Sequence, residues 1–338
     1  MEPVQFGQYP PARRTIVHVS DTHLLAGNPA LGGRYDTAAN LARTLEAVES
    51  LDAGPDAIVF TGDLTDLGEP DAYRALKDAV EPVAARLGAP VVWVAGNHDE
   101  RPALRSALLG ETATQEPVTS VHDLGGLRLV ALDTSVPGWH HGDLDAAQLE
   151  WLRGILSTPA PLGTILALHH PPLPSHLPLF DILELRDQGR LADVVAGSDV
   201  RAILAGHLHY STSGTFAGIP VSVSAATCYT MNLARPAVEV NAWTRASPST
   251  WCTSTTTRSP TPSSPSSTRP QATTSRRNGS SGCRASRPKS ASRRSRASVP
   301  PDVARLYATA KPNPRPVRGV ESAADAPKVG SEHPITPP

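Results

Sequence analysis

Between residues 15 and 226 the chain repeats one unit, and this repeat limits the fold more than any other feature. Each unit is a short apolar run, a polar loop, then apolar residues at helical spacing. TIVHVS, DAIVF, VVWVA, LRLVALD, TILALH and VRAILAG read as strands, being short, β-branched and bounded by polar residues. Between them, helical spacing predicts helices over 36–50 (Leu41, Leu45, Val48) and 69–87 (Tyr73, Leu76, Val80, Val83). Further helices are expected over 102–109, 146–156 and 183–195. STSGTFAG and IPVSVSA form a predicted hairpin around Ala217-Gly218. Alternating strands and helices imply an α/β fold, its sheets covered by helices and parallel pairing favoured.

The repeat then stops. Residues 1–239 hold 15 Lys and Arg against 28 Asp and Glu, a net of −13, whereas residues 240–338 hold 16 against 4, a net of +12. No acidic residue occurs from 240 to 301, and Ser, Thr, Pro and Arg dominate. Such a stretch has too little apolar surface to offset the entropy of ordering it. The division expected is an N-terminal extension over 1–14, a folded domain over 15–235, and a basic tail over 236–338. The tail is read as disordered, or as a shifted reading frame of a GC-rich gene, which resequencing the source DNA would test. An RNA- or membrane-surface-binding tail is the functional rival, but the tract is poor in aromatic stacking platforms, so specific nucleic-acid binding is not expected. No basic start followed by an apolar stretch marks a signal peptide, and no run of about 18 apolar residues marks a membrane span. The cysteines, Cys228, Cys252 and Cys283, have neither zinc-type spacing nor a disulfide framework. A cytoplasmic chain is the expectation.

The strand ends carry the chemistry. Asp21 and His23 follow the first run (VSDTH), Asp63 follows the second (FTGDL), and Asn97, His98 and Asp99 follow the third (GNHD). His169 and His170 follow TILAL, and His207 and His209 lie in GHLH. In open α/β sheets, loops at the carboxyl ends of strands converge on a ligand site. Separations of 42, 34, 72 and 38 residues between the groups therefore do not keep them apart. Carboxylates, imidazoles and one amide oxygen, without thiolate, suit Mn, Fe, Zn or Co. Two such ions roughly 3.5–4 Å apart can clamp a phosphoryl group and activate water.

Each piece alone has a plainer reading. A single D-x-H is commonly a polar turn, a single GD a helix cap, and GNHD an Asn/Asp turn. GHLH could be a strand end with two partly exposed histidines. Their joint occurrence, in order and each at a strand end, favours a metal site.

D-x-H, GD, GNHD, H and GHxH in that order resemble the calcineurin-like metallophosphoesterase superfamily. DAIVFTGDLTDLGEP, VWVAGNHD, LDTSVPG, ILALHHPP and ILAGHLHYST more narrowly resemble the mycobacterial-type class III cyclic nucleotide phosphodiesterases. The resemblance implies a two-sheet β-sandwich flanked by helices. It implies a first metal, often iron, on Asp21, His23 and His209, and a second, often manganese, on Asn97, His169 and His207, with Asp63 bridging. His98 would be a general acid or transition-state stabiliser, oriented by Asp99, with Asn97 also stabilising charge on phosphorus. Spacing alone does not separate His169 from His170; the resemblance makes His169 the ligand. The implied substrate is a cyclic nucleotide, nominally 3′,5′-cAMP, and a homodimer is implied as well.

Rival readings are 2′,3′-cyclic nucleotides, other small phosphodiesters, and a chain inactivated by its altered C-terminus, since the further strands of relatives are not recognisable after SATCYT. The D-R-G of protein phosphatases is absent from TGDLTDLGE, and an acidic domain without a basic track argues against an exonuclease. His140 and His141 lie in a loop that either borders the site or is simply exposed. Asp66 is either an outer partner of the metals or a turn residue. His18, within the first run, reads as a satisfied core histidine, and Trp93 and Trp151 as packing residues.

Overall fold

The computed structural model describes residues 12–51 and 54–234, and the backbone of Ala242–Trp243. Apart from those two residues, the expectations for 236–338 lie outside the described residues, as does most of the N-terminal extension.

Nine of the strands among the described residues form two sheets. β1 (Ile16–Val19), β2 (Ala57–Thr61) and β3 (Val91–Val94) make a parallel three-stranded sheet in the order β1-β2-β3. The second sheet has six strands: β4 (Ser120–Asp123), β5 (Arg128–Ala131), β6 (Thr164–Ala167), β7 (Val200–Ala205), β8 (Thr212–Phe216) and β9 (Ile219–Val223). Its order is β4-β5-β6-β7-β9-β8, parallel from β5 through β7 to β9 and antiparallel at both edges. A further pair, β10 (Thr230–Met231) and β11 (Ala242–Trp243), is antiparallel.

Strand alternation assigns each face. Ile16, Val59, Val92 and Val94 pack with Leu129, Ile165, Ala202 and Leu204, which fills the layer between the sheets. Val17, Val19, Phe60 and Trp93 point the other way, onto α1 (Thr37–Glu49), α2 (Pro70–Leu87) and a π-helical turn, Leu104–Leu109, that continues α3 (Arg101–Ala103). Val130, Leu166 and Ile203 meet α4 (Ala146–Leu156) and α5 (Gln188–Val195) on the far face of the larger sheet. The result is the helix–sheet–sheet–helix layering of a two-sheet sandwich. Fully burying each Leu or Val of these faces contributes roughly 1.5–3 kcal/mol.

Local signals set the ends of the elements. The Asp36 side chain accepts the Ala39 N–H at 2.9 Å to cap α1, and Asp145 accepts the Gln148 N–H at 2.7 Å to cap α4. The β8–β9 hairpin turns at Ala217 and Gly218, both with positive φ, the geometry a primed turn needs. Trp93 is a core residue stacked on Phe60, and Trp151 packs against the core beneath α4.

Two expectations are corrected. β4 was not predicted: its sequence SVHD is polar, because an edge strand with alternating exposure needs little apolar surface. α5 begins at Gln188 rather than at 183, because the Leu183 carbonyl and the Leu185 backbone are taken by the neighbouring loops.

Candidate metal centre

The loops that follow β1, β2, β3, β6 and β7 bring the candidate ligands together. The Asp21, His23 and Leu24 N–H groups donate to the Gly62, Asp63 and Leu64 carbonyls at 3.1, 2.9 and 3.2 Å, so the first two loops run paired beyond their strands. The His207 N–H reaches both Asp21 carboxylate oxygens, at 3.2 and 3.1 Å, and ties the second sheet's loop to the first.

Five of the seven ligand candidates, Asp21, His23, Asp63, His207 and His209, have φ between 45° and 72°. Non-glycine residues rarely occupy this left-handed region, and such strain persists only where the surroundings impose it. Glycines make the approach possible. A Cβ on Gly62 would lie 2.5 Å from His169 Nδ1, and one on Gly206 would lie 2.7 Å from Asp21 Oδ2.

The side chains fall into two groups that share Asp63. Ligand atoms of Asp21, His23, Asp63 and His209 lie within 4.8 Å of one another. In the other group, His169 Nε2 is 3.1 Å from Asn97 Oδ1, and the His169 and His207 rings are 5.0 Å apart. Asp63 Oδ2 stands between them, 3.4 Å from His23 Nε2 and 3.3 Å from His169 Nε2. Its Oδ1 is held by the His98 N–H at 2.8 Å. All seven candidates are buried.

Each imidazole has one nitrogen committed outward. His23 Nδ1 is 2.9 Å from Asp66 Oδ1, His169 Nδ1 is 2.7 Å from the Thr61 carbonyl, and His207 Nε2 is 3.1 Å from the Leu183 carbonyl. An oxygen acceptor fixes a proton on that nitrogen, so the other is the one left bare when the ring is neutral, the arrangement of metal-ligating histidines. His170 has no bare nitrogen: Nδ1 pairs with Thr134 Oγ1 at 2.8 Å, and Nε2 with the His140 carbonyl at 3.2 Å. This geometry favours His169 over His170.

The electrostatics call for added positive charge. Burial pushes the Asp63 carboxyl up, but the neighbouring His169, His98 and His23 carry it well below its usual range. Burial opposes charge on the imidazoles too, yet Asp63 and Asp66 raise His23 to about 10, and Asp63 chiefly raises His169 to about 9. The bare nitrogens, carboxylates and amide oxygen fit two divalent or trivalent ions.

The flanking side chains have distinct partners. Asp66 is an outer partner, through its carboxylate to His23. Asp99 does not orient His98. Its Oδ2 accepts the Leu64 and Gly96 N–H groups at 3.1 and 2.8 Å, and its Oδ1 accepts the Thr65 N–H and the Tyr73 hydroxyl at 3.2 and 2.9 Å. Burial, with the Asp63 charge adding, raises its carboxyl to about 6. His98 instead donates Nδ1–H to the Asp66 carbonyl at 2.9 Å. His140 borders the site, its Nδ1 being 3.1 Å from Asn97 Nδ2, while His141 packs beside Trp139. His18 is half satisfied: Nε2 meets Thr61 Oγ1 at 2.8 Å, and Nδ1 has no partner among the described residues. The carbonyls of Thr61 and Leu183 were not foreseen, since a backbone acceptor leaves no mark on residue type.

The chain belongs to the calcineurin-like phosphoesterase family, whose pattern matches residues 14–211. It is 57% identical over 230 residues to a probable cyclic nucleotide phosphodiesterase of Rhodococcus erythropolis, covering 68% of this chain and 76% of that one. It is 55% identical over 233 residues to a protein of Mycobacterium tuberculosis named cAMP/cGMP dual specificity phosphodiesterase, covering 69% and 73%. The 3′,5′-cyclic adenosine monophosphate phosphodiesterase CpdA of Escherichia coli K12 is 35% identical over 219 residues, covering 64% and 77%. The chain is accordingly a hydrolase of the metallophosphoesterase type, and no helix among the described residues is long and apolar enough to cross a membrane.

Proposed function

We propose that this chain hydrolyses 3′,5′-cyclic nucleotides, nominally cAMP, at a centre of two metal ions. The observation that carries the reading is the single carboxylate oxygen, Asp63 Oδ2, set between His23 and His169 at 3.4 and 3.3 Å. The names of the relatives support the substrate class. In this reading Asp21, His23 and His209 hold the first ion, Asn97, His169 and His207 the second, and Asp63 both. The oxygen- and nitrogen-donor set supports iron and manganese, with zinc or cobalt as alternatives. When bound, such ions supply an activated water at neutral pH and neutralise phosphoryl oxygens.

The protein groups then divide the work. Asn97 is fixed between His169 and His140 by its two amide atoms, and in this reading it stabilises charge on the phosphoryl group. Water adds to phosphorus as one bond from phosphorus to a ribose oxygen breaks, and that oxygen needs a proton. His98 gives Nδ1–H to the Asp66 carbonyl, so Nε2 is the atom that can deliver one. Burial lowers the His98 pKa, while the Asp63 and Asp66 carboxylates favour the charged donor form.

The nine candidate residues lie within 15–235, to which we assign the chemistry. A homodimer, tested by sedimentation, and a cytoplasmic location, tested by fractionation, complete the reading.

The test is hydrolysis by the full chain reconstituted with manganese, on 3′,5′-cAMP, 2′,3′-cAMP and bis-p-nitrophenyl phosphate. Turnover on 3′,5′-cAMP is expected, abolished in Asn97→Ala and Asp63→Ala. His98→Ala should be slower with its metal content intact. Preference for 2′,3′-cAMP would replace the substrate, and inactivity on all three would mean a chain disabled by its altered C-terminus.

A further inference from the structure

His209 differs from the other three imidazoles of the centre. Those give their outer nitrogen to an oxygen, of Asp66, Thr61 or Leu183. His209 directs Nε2 toward Asp21 Oδ1 at 3.3 Å, and its Nδ1 faces the sulfur of Cys228 at 3.7 Å. Cys228 is 1% exposed.

The backbone around Cys228 fixes that sulfur from two sides. The Thr227 and Cys228 N–H groups donate to the Ser20 and Asp21 carbonyls at 2.9 and 3.0 Å, and the Met231 N–H donates to the His209 carbonyl at 2.8 Å. Asn40 Nδ2 donates to the Cys228 carbonyl at 2.7 Å, and the Tyr229 ring lies 4.5 Å from that of His209. This short segment therefore clasps the loop after β1 and the loop after β7, which belong to different sheets. Both loops feed the first metal group.

We infer that Cys228 is a positioning residue for the first metal: its sulfur accepts Nδ1–H of His209, fixing the tautomer that leaves Nε2 bare beside Asp21. The inference rests on the two-metal reading. The sulfur meets His209 at Nδ1, on the side of the ring away from the nitrogen that faces Asp21, so Cys228 acts through His209. Sulfur is also a weak acceptor. Its loss should therefore cost about tenfold in affinity at the first site, the low end for outer partners of metal ligands.

The probe is Mn²⁺ alone, titrated into metal-free full-length chain and counted by the electron paramagnetic resonance of free ion. Wild type, Cys228→Ala and Cys228→Ser are compared after thermal unfolding has shown that each metal-free chain is folded. Wild type should bind two ions. Cys228→Ala should bind one with unchanged affinity and the other about tenfold more weakly. Cys228→Ser, whose hydroxyl can accept Nδ1–H, should recover most of that loss. Unchanged affinities in Cys228→Ala, equal weakening at both sites, or no recovery by serine would overturn the inference. A wild type that binds fewer than two ions would instead overturn the two-metal reading, and the inference with it.

Discussion

Asp66 holds two histidines by two different atoms: its Oδ1 lies 2.9 Å from His23 Nδ1, and its carbonyl oxygen lies 2.9 Å from His98 Nδ1. One residue thus fixes the tautomer of a metal-ligand candidate and of the proposed acid. Only the first contact belongs to the side chain. Asp66→Ala should therefore weaken metal binding at the first site by about 10–100-fold while leaving the His98 backbone contact in place. Turnover should return as metal concentration is raised. Activity that stays low at saturating metal would show that the Asp66 charge, 3.6 Å from His98 Nδ1, serves the acid more than the metal.

Asp99 contributes to folding rather than to catalysis in this geometry. It accepts three backbone N–H groups and the Tyr73 hydroxyl, and the residue is buried. Leaving buried donors unpaired costs about 1–3 kcal/mol, so Asp99→Ala should lose about 3 kcal/mol of stability and Tyr73→Phe about 1. Asp99→Asn should be nearly as harmful, because its NH₂ would face donors. Urea unfolding checks the order. A stable Asp99→Ala with lost turnover would restore the catalytic role.

The contrast between Asp66 and Asp99 shows what could be read from sequence. Apolar β-branched runs such as DAIVF are unambiguous because both faces of these strands are buried, and the polar residues ending them had to converge on one edge. β4 was illegible because only Val121 in SVHD is apolar, and it is 43% exposed. Residues 183–187 have helical spacing, but their backbone bonds to the Gly142 loop and to His207, a tertiary demand that spacing does not record. The ligands were legible as residue types. Of their outer partners only Asp66 is raised by the sequence, as one of two readings; two others are carbonyls, and the Cys228 sulfur meets an imidazole 19 residues away. Asp66 and Asp99 both follow strand-end motifs as carboxylates, and only geometry separates their roles.

Gly96 tests the close approach on which Asp63 depends. A Cβ there would run into the Asp63 N and Oδ1 and sit 3.0 Å from its Cα, although the Gly96 φ is ordinary. The cost is therefore steric. Gly96→Ala should destabilise by about 1–3 kcal/mol and lower metal content at both sites, since Asp63 serves both. Gly154 in α4 has nothing near its Cβ position, and Gly154→Ala should raise stability by about 0.5–1 kcal/mol. A tolerated Gly96→Ala would mean that the loop can yield.

His18 makes stability depend on pH. Burial, against a smaller pull from Asp21, lowers its pKa from 6.5 to about 4. As pH falls, the unfolded chain takes up this proton first. The contribution is therefore full above 6.5 and lost progressively down to about 4, a total of about 3 kcal/mol. In His18→Gln an amide can still reach Thr61 Oγ1 but does not titrate. Urea unfolding in EDTA at several pH values should show the two proteins converging by about that amount between pH 6.5 and 4. Parallel curves would mean that His18 is not held neutral by the fold.

Metal binding should release protons. In the metal-free protein Asp63 and Asp21 are ionised, and His23 and His169 are raised to about 10 and about 9 by those carboxylates and Asp66. Both imidazoles are then charged at pH 7, and each must give up the proton on Nε2 before that atom can ligate. Loading both sites at pH 7 should liberate about two protons per chain. Apparent affinity should rise with pH until those pKa values are passed, because protons and metal compete for the same atoms. Calorimetry of Mn²⁺ binding in two buffers of different ionisation enthalpy counts the protons directly. His169→Ala should release about one proton per chain instead of about two, the one given up by His23 at the surviving site. Binding without proton release would mean that the carboxylates are neutralised in some other way in the metal-free state, and that these two histidines are not the ligands.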